Sequence, residues 1–159
     1  MQRDDSTLAP FYKGWGEYQG LLIEAIAPLS AEQLALSVAP SQRPVWLLAA
    51  HIIGTRVGWF QGVLGEGDAA VAAFDPWDQE GAPPRTAAEL VEGLEVTWRM
   101  IADCLDRWTP AMLDDSFTTR RGCKRNRQWV LWHVLEHDLH HGGELSLTLG
   151  THGLPTPDM

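Results

Sequence analysis

Histidine is the residue type in this sequence whose spacing best indicates chemistry. Side chains four residues apart lie on one face of a helix, so His133, His137 and His141 would form a row. Val130 and Val134 share that face and predict that it is buried. Buried polar groups without partners cost about 1–3 kcal/mol each, and an i, i+4 histidine pair can bind one metal ion. Four of the six histidines fall in this one segment: His133, His137, His140 and His141.

A third metal ligand must come from elsewhere, because one helical pair supplies two ligands and catalytic sites commonly use three. His51 lies in the middle of another helical segment, with Leu48 and Thr55 at helical spacing from it. It is therefore expected to face inward as well. We predict that His51, His137 and His141 hold a divalent metal ion.

Other interpretations of the histidines remain open at this stage. They could be core residues hydrogen-bonded to backbone or water, without a metal. His152 and Cys123 are weaker candidate ligands. A di-iron carboxylate site is disfavoured, because it needs Glu-x-x-His on two helices and the chain has only Asp138-x-x-His141. Three imidazoles suit several ions, and zinc is expected first, with nickel, iron or manganese as alternatives.

Two carboxylates on the same predicted helix are the nearest candidates to support the metal. Glu144 and Asp138 could each orient an imidazole or move a proton, and His133 is a third acid–base candidate. Asp138 could instead simply face solvent. Gly54, Gly58 and Gly62 recur every four residues near His51, which indicates either close helix–helix contact or an open channel to the site.

Four long helical segments must position these residues. Apolar periodicity and capping signals predict helices over about 8–27, 44–64, 86–109 and 127–149, the last stopped by Gly150, with a short helix after Ser30. The 65–85 connection is long enough to cross the bundle, so helices two and three should run parallel. Residues 116–126 are expected to form a loop or short hairpin. The fold class predicted for 1–159 is a single all-α domain, a four-helix bundle.

Composition narrows the function classes further. The chain has 159 residues, 45% of them apolar, and a formal net charge of −9. An acidic surface disfavours nucleic-acid binding, and no apolar run is long enough for a membrane span. Two cysteines and the absence of a signal-like N-terminus favour the cytoplasm. A small-molecule substrate is the expected partner.

Two segments carry a resemblance to a known family. WLLAAHI at 46–52 and WVLWHVLEHDLHHGGE at 129–144 resemble the DinB (YfiT-like) superfamily. The resemblance implies an up-down-down-up four-helix bundle and a homodimer. It also implies a divalent metal held by three histidines, at the positions of His51, His137 and His141.

The same resemblance implies a reaction class. Characterised relatives include mycothiol-dependent maleylpyruvate isomerase and bacillithiol S-transferases. We therefore expect a metal-dependent enzyme that joins a low-molecular-weight thiol to a small electrophile, or a related isomerase or hydrolase. Arg43, Arg56 or the basic run at 120–127 could bind the carboxylates of such a thiol, or simply be solvated.

Two alternatives to the thiol transferase remain. One is a non-catalytic metal-binding or stress-response bundle with a structural ion. The other is a metal-dependent hydrolase built on His137-Asp138-x-x-His141, which ranks last because Asp replaces the longer Glu of the zinc-protease motif.

Overall fold

Helices dominate the computed structural model, which describes residues 6–158. The α-helices are α1 (Lys13–Ile26), α2 (Ala31–Leu34), α3 (Val45–Phe60), α4 (Ala87–Arg107) and α5 (Arg127–Thr151). Three 3₁₀ helices (Ala9–Tyr12, Ala69–Asp78, Pro110–Asp114) and a hairpin of strands β1 (Ser116–Thr118) and β2 (Lys124–Asn126) connect them. Among the described residues, no helix has the length and apolar character needed to cross a membrane.

Side-chain caps explain where several helices begin. Ser30 and Thr86 each form the reciprocal capping box that the sequence predicts, with Gln33 and Glu89 respectively. The Asn126 side chain accepts a hydrogen bond from the Trp129 amide at 2.9 Å and so starts α5.

Helices α1 and α4 run antiparallel. The Trp15 and Trp98 rings lie 5.5 Å apart, and Gln19 donates to the Leu94 carbonyl at 3.0 Å. Residue numbers therefore rise along α1 as they fall along α4.

Helices α3 and α4 run parallel. Ile53 packs against Gly93, and one turn later Arg56 contacts the Thr97 hydroxyl at 3.4 Å. The direction expected from the long connection is thus confirmed, since a crossover must return the chain to the same end of the bundle.

Helices α3 and α5 run antiparallel, as the contacts at their two ends show. The His51 and His141 rings lie 4.7 Å apart, and the Trp59 and Trp129 rings 5.1 Å apart. The four long helices therefore run up, down, down and up around a core that includes fully buried Leu22, Ile53, Leu94 and Leu131.

Two details differ from the sequence-based expectation. Helix α5 continues through Gly150 to Thr151 and ends before Gly153, whose positive φ of 71° suits glycine. The 65–85 connection contains a ten-residue 3₁₀ helix, Ala69–Asp78, which the sequence did not predict and which packs against α3.

Candidate metal centre

The three predicted ligands lie together between α3 and α5. Ring centroids are 4.7 Å apart for His51 and His137, 4.7 Å for His51 and His141, and 4.3 Å for His137 and His141. One nitrogen of each ring lies within 4.8 Å of the other two. The spacing of His137 and His141 follows from one turn of helix, whereas His51 joins them through the packing of α3 on α5.

Carboxylates orient two of the imidazoles. His51 Nδ1 lies 2.5 Å from Asp78 Oδ2, and His141 Nδ1 lies 2.6 Å from Glu144 Oε2. Each ring donates its Nδ1 proton to the carboxylate, so its Nε2 is the nitrogen available to a metal ion. Metal-binding histidines in proteins are commonly held in this way.

His137 is the third candidate ligand, and one of its ring nitrogens has no hydrogen-bond partner. Its Nε2 lies 3.1 Å from His51 Nε2 and 3.2 Å from the Thr55 hydroxyl, while its Nδ1 is buried without a hydrogen-bond partner. Two unprotonated nitrogens at this separation repel each other unless a cation or a proton lies between them. A divalent ion fits that requirement.

Burial favours the neutral form of His137 and His141. Loss of hydration, together with repulsion from the positive charges that His141 and His51 would carry, lowers the pKa of His137 to about 3. Burial also lowers the pKa of His141, against the opposing effect of Glu144. Both rings therefore keep a lone pair for a metal at neutral pH.

Asp78 is the site residue that sequence reasoning missed. It ends the Ala69–Asp78 3₁₀ helix, whose start is capped by Asp68 and whose buried Phe74 and Trp77 anchor it to the bundle. Asp78 lies 27 positions from His51, so no helical spacing relates them. An acidic residue directly after a buried aromatic one was the available signal, and it was weak.

Gly54 in α3 allows the Ala69–Asp78 3₁₀ helix to approach closely, and Gly62 lies just after the end of α3. A Cβ at Gly54 would lie 2.9 Å from Asp78 Oδ1 and 3.5 Å from the Asp75 carbonyl oxygen. At Gly62 the nearest atom outside α3 would be an Arg120 guanidinium nitrogen at 3.3 Å. Gly54 therefore lies at a close contact with a helical segment, the Ala69–Asp78 3₁₀ helix, whereas Gly62 lies beside the Arg120 side chain.

Asp138 does not serve the histidines, and its expected exposure is wrong. Its side chain is 0% exposed and pairs with Arg56, also 0% exposed, at 2.7 Å. Trp15 donates to the same carboxylate at 2.8 Å, and Gln19 accepts from Arg56 at 2.8 Å. Arg56 is thus a core residue, which excludes it from binding a ligand at the surface.

The remaining histidines lie outside the cluster. His133 stacks on Trp129, with its ring 6.1 Å from that of His137. His140 is exposed but, with His141 and Glu144, forms a second group that could hold an ion. His152 bonds to the Ser37 carbonyl oxygen, and Cys123 is an exposed free thiol in the hairpin.

Comparison with known proteins agrees with this architecture. The sequence profile of the DinB superfamily matches residues 17–145. A crystal structure of a DinB-like protein from Bacillus cereus ATCC 10987 has a TM-score of 0.74 and 19% identity, covering 98% of this chain and 99% of that chain. At this identity the likeness shows the fold. None of the curated proteins matches the chain.

Proposed function

The chain belongs to the DinB superfamily, and from that premise we propose that it is a metal-dependent thiol transferase acting on small electrophiles. His51, His137 and His141 would hold one divalent ion, with zinc expected first. The observation that carries the proposal is the convergence of three imidazoles, two of them already oriented by Asp78 and Glu144.

Each residue has a separable role in this proposal. A divalent ion, when bound, lowers the pKa of a coordinated thiol or water. Asp78 and Glu144 hold the Nδ1 protons and fix the ring orientations. The Thr55 hydroxyl, 3.2 Å from His137 Nε2, is placed to hydrogen-bond a group at the site.

Thiol transfer is a substitution at an electrophilic carbon, and the protein must provide space for the second substrate. The thiol sulfur forms a bond to an electrophilic carbon, the bond from that carbon to the leaving group breaks with its electron pair, and the thiol proton passes to solvent. A cavity of about 630 Å³, lined by residues including Arg43, Leu48, Glu144 and Thr148, opens beside the Glu144–His141 pair. That volume suits a small-molecule co-substrate.

Metal content is the direct test of the centre. Untagged protein, analysed by inductively coupled plasma mass spectrometry, is expected to contain about one zinc or similar ion per chain. His51→Ala, His137→Ala and His141→Ala should each lose it, whereas His152→Ala should retain it. A parent protein that stays metal-free after reconstitution would contradict the proposal, as would stoichiometric metal in all three site variants.

A second experiment separates catalysis from a structural ion. Protein reconstituted with cobalt should develop sulfur-to-metal charge-transfer absorption when a small thiol is added, because transfer requires an exchangeable coordination position. An unchanged spectrum with intact cobalt content would favour the non-catalytic metal-binding bundle. Hydrolysis of model esters without any thiol would favour the hydrolase.

Gly54→Ala should weaken metal binding without removing a ligand. The new Cβ would displace the Asp78 carboxylate from His51, and loss of such an orienting partner costs about 10–100-fold in metal affinity. We expect about a tenfold rise in the zinc dissociation constant, measured by chelator competition, since the carboxylate is moved rather than deleted. Gly58→Ala is the matched control, because a Cβ there would meet only Asp75 Oδ1, at 3.9 Å. Equal affinities for the two variants would contradict this role of Asp78.

We also propose a homodimer, supported by an exposed apolar face on α5. Trp132, Leu139 and Leu147 are 62%, 47% and 61% exposed, and such clusters commonly mark interfaces. Leu139→Lys should shift the protein from dimer to monomer in multi-angle light scattering. Phe11→Lys, at an exposed apolar residue of the Ala9–Tyr12 3₁₀ helix, should leave the mass unchanged. A monomeric parent at micromolar concentration would exclude the dimer.

A further inference from the structure

A second cavity lies at the opposite end of the histidine row from Glu144. It has a volume of about 540 Å³ and lies between the hairpin, α3 and the start of α5. The residues that matter in its wall are Trp59, Trp129, His133, Arg120, Arg121 and Arg125. These arginines have no role in the proposed metal centre.

The wall of this cavity is positively charged, although the chain as a whole is acidic. Within residues 6–158, no carboxylate forms an ion pair with Arg120, Arg121 or Arg125. Four other arginines do have such partners: Arg56 with Asp138, Arg85 with Glu89, Arg107 with Glu66 and Arg127 with Asp115. Three guanidinium groups around one cavity therefore remain available to an anion.

Arg125 is the best placed of the three. Its guanidinium lies 4.5 Å from the centre of the Trp129 ring, and its Nη1 donates to the Lys124 carbonyl at 2.9 Å. Its Nε is buried and has no hydrogen-bond partner. An unpaired buried donor is costly, and a bound anion would satisfy it.

Aromatic rings supply the rest of the wall. Trp59 and Trp129 lie 5.1 Å apart, and His133 stacks on Trp129 with centroids 4.8 Å apart and planes at 19°. His133 then lies one helical turn from His137, with 6.1 Å between their rings. An aromatic wall, with Trp59 tilted by 58° against Trp129, therefore leads from the arginines towards the proposed metal centre.

We propose that this cavity binds an organic carboxylate with a planar, apolar body, anchored by Arg125 together with Arg120 and Arg121. Guanidinium groups pair with carboxylates through two parallel hydrogen bonds, and Trp59 and Trp129 pack against the body. A role of this carboxylate as the substrate would rest on the proposed function. Its binding to the cavity does not.

Calorimetric titration with naphthalene-2-carboxylate tests the site, with the neutral amide, naphthalene-2-carboxamide, as the matched ligand. The carboxylate should bind saturably, and the amide about tenfold more weakly, because only the anion pairs with guanidinium groups. Acetate should compete poorly, because it lacks the planar body. Equal affinity for carboxylate and amide, or no saturable binding of the carboxylate, would overturn the proposal.

Arginine variants test whether the carboxylate binds in this cavity. Arg125→Ala should weaken carboxylate binding about tenfold and Arg125→Lys about threefold, because lysine keeps the charge but lacks the planar fork. The exposed pair Arg120→Ala/Arg121→Ala should also weaken it, and it removes no buried contact needed for folding. Arg43→Ala, at the other cavity, should have no effect. Unchanged binding in both the Arg125→Ala and the double variant would overturn the assignment.

The titration is repeated on His137→Ala. Retained carboxylate binding there is expected, because the arginines and tryptophans are intact. A failure of the metal centre would thus leave this result standing, and a failure of the carboxylate site would leave the metal result standing. Indole NMR signals of Trp59 and Trp129 should shift on binding, and saturable binding that moves neither signal would place the ligand elsewhere and contradict the proposal.

Discussion

Replacing Asp138 with alanine is expected to lower the free energy of unfolding by about 3–5 kcal/mol, because it leaves the Arg56 charge buried and unpaired. Both side chains are 0% exposed and their closest atoms are 2.7 Å apart. The Trp15 indole N–H, 2.8 Å from the same carboxylate, would lose its acceptor as well. Urea denaturation of the metal-free protein measures the effect.

A double variant separates the lost pair from the stranded charge. Arg56→Met with Asp138→Leu replaces the ion pair with apolar side chains, a change that is often neutral or stabilising. Most of the stability lost in Asp138→Ala should therefore return. Glu136→Ala, at an exposed carboxylate on the same helix, should stay within about 0.5 kcal/mol of the parent. A loss below about 1 kcal/mol in Asp138→Ala would show that the pair does not hold the core together.

Zinc should raise the stability of the metal-free protein substantially. A ligand that binds only the folded state at 100 times its dissociation constant stabilises it by about 2.7 kcal/mol. For a domain of this size that corresponds to a rise of about 5–10 °C in melting temperature. Differential scanning calorimetry after chelator treatment, with and without added zinc, measures the shift.

Variants then decide which of the two candidate groups holds the ion. His51 belongs only to the His51–His137–His141 group, so His51→Ala should abolish the zinc-induced shift. His140 belongs only to the group formed with His141 and Glu144, so His140→Ala should keep the shift. The opposite pattern would place the ion at the exposed group and remove the basis for a buried catalytic centre.

Features set by local geometry were predictable from the sequence. Helix periodicity and capping residues predicted the four long helices and both capping boxes, because a helix repeats every 3.6 residues and its first turn needs acceptors for free N–H groups. The His137–His141 pair is equally local, since four residues make about one turn. The length of the 65–85 connection also predicted the crossover, because only a long connection lets consecutive helices run parallel.

What the sequence determined by itself was therefore the helices, their order and direction, and a histidine pair on one face of the last helix. Only the tertiary structure decided the rest. Asp78 reaches His51 because the 3₁₀ helix packs where Gly54 has no side chain. Asp138, one residue after His137, turns into the core to meet Arg56. Neighbours across different elements depend on packing, so the spacing within one helix shows which way a residue faces but not which residue lies opposite it.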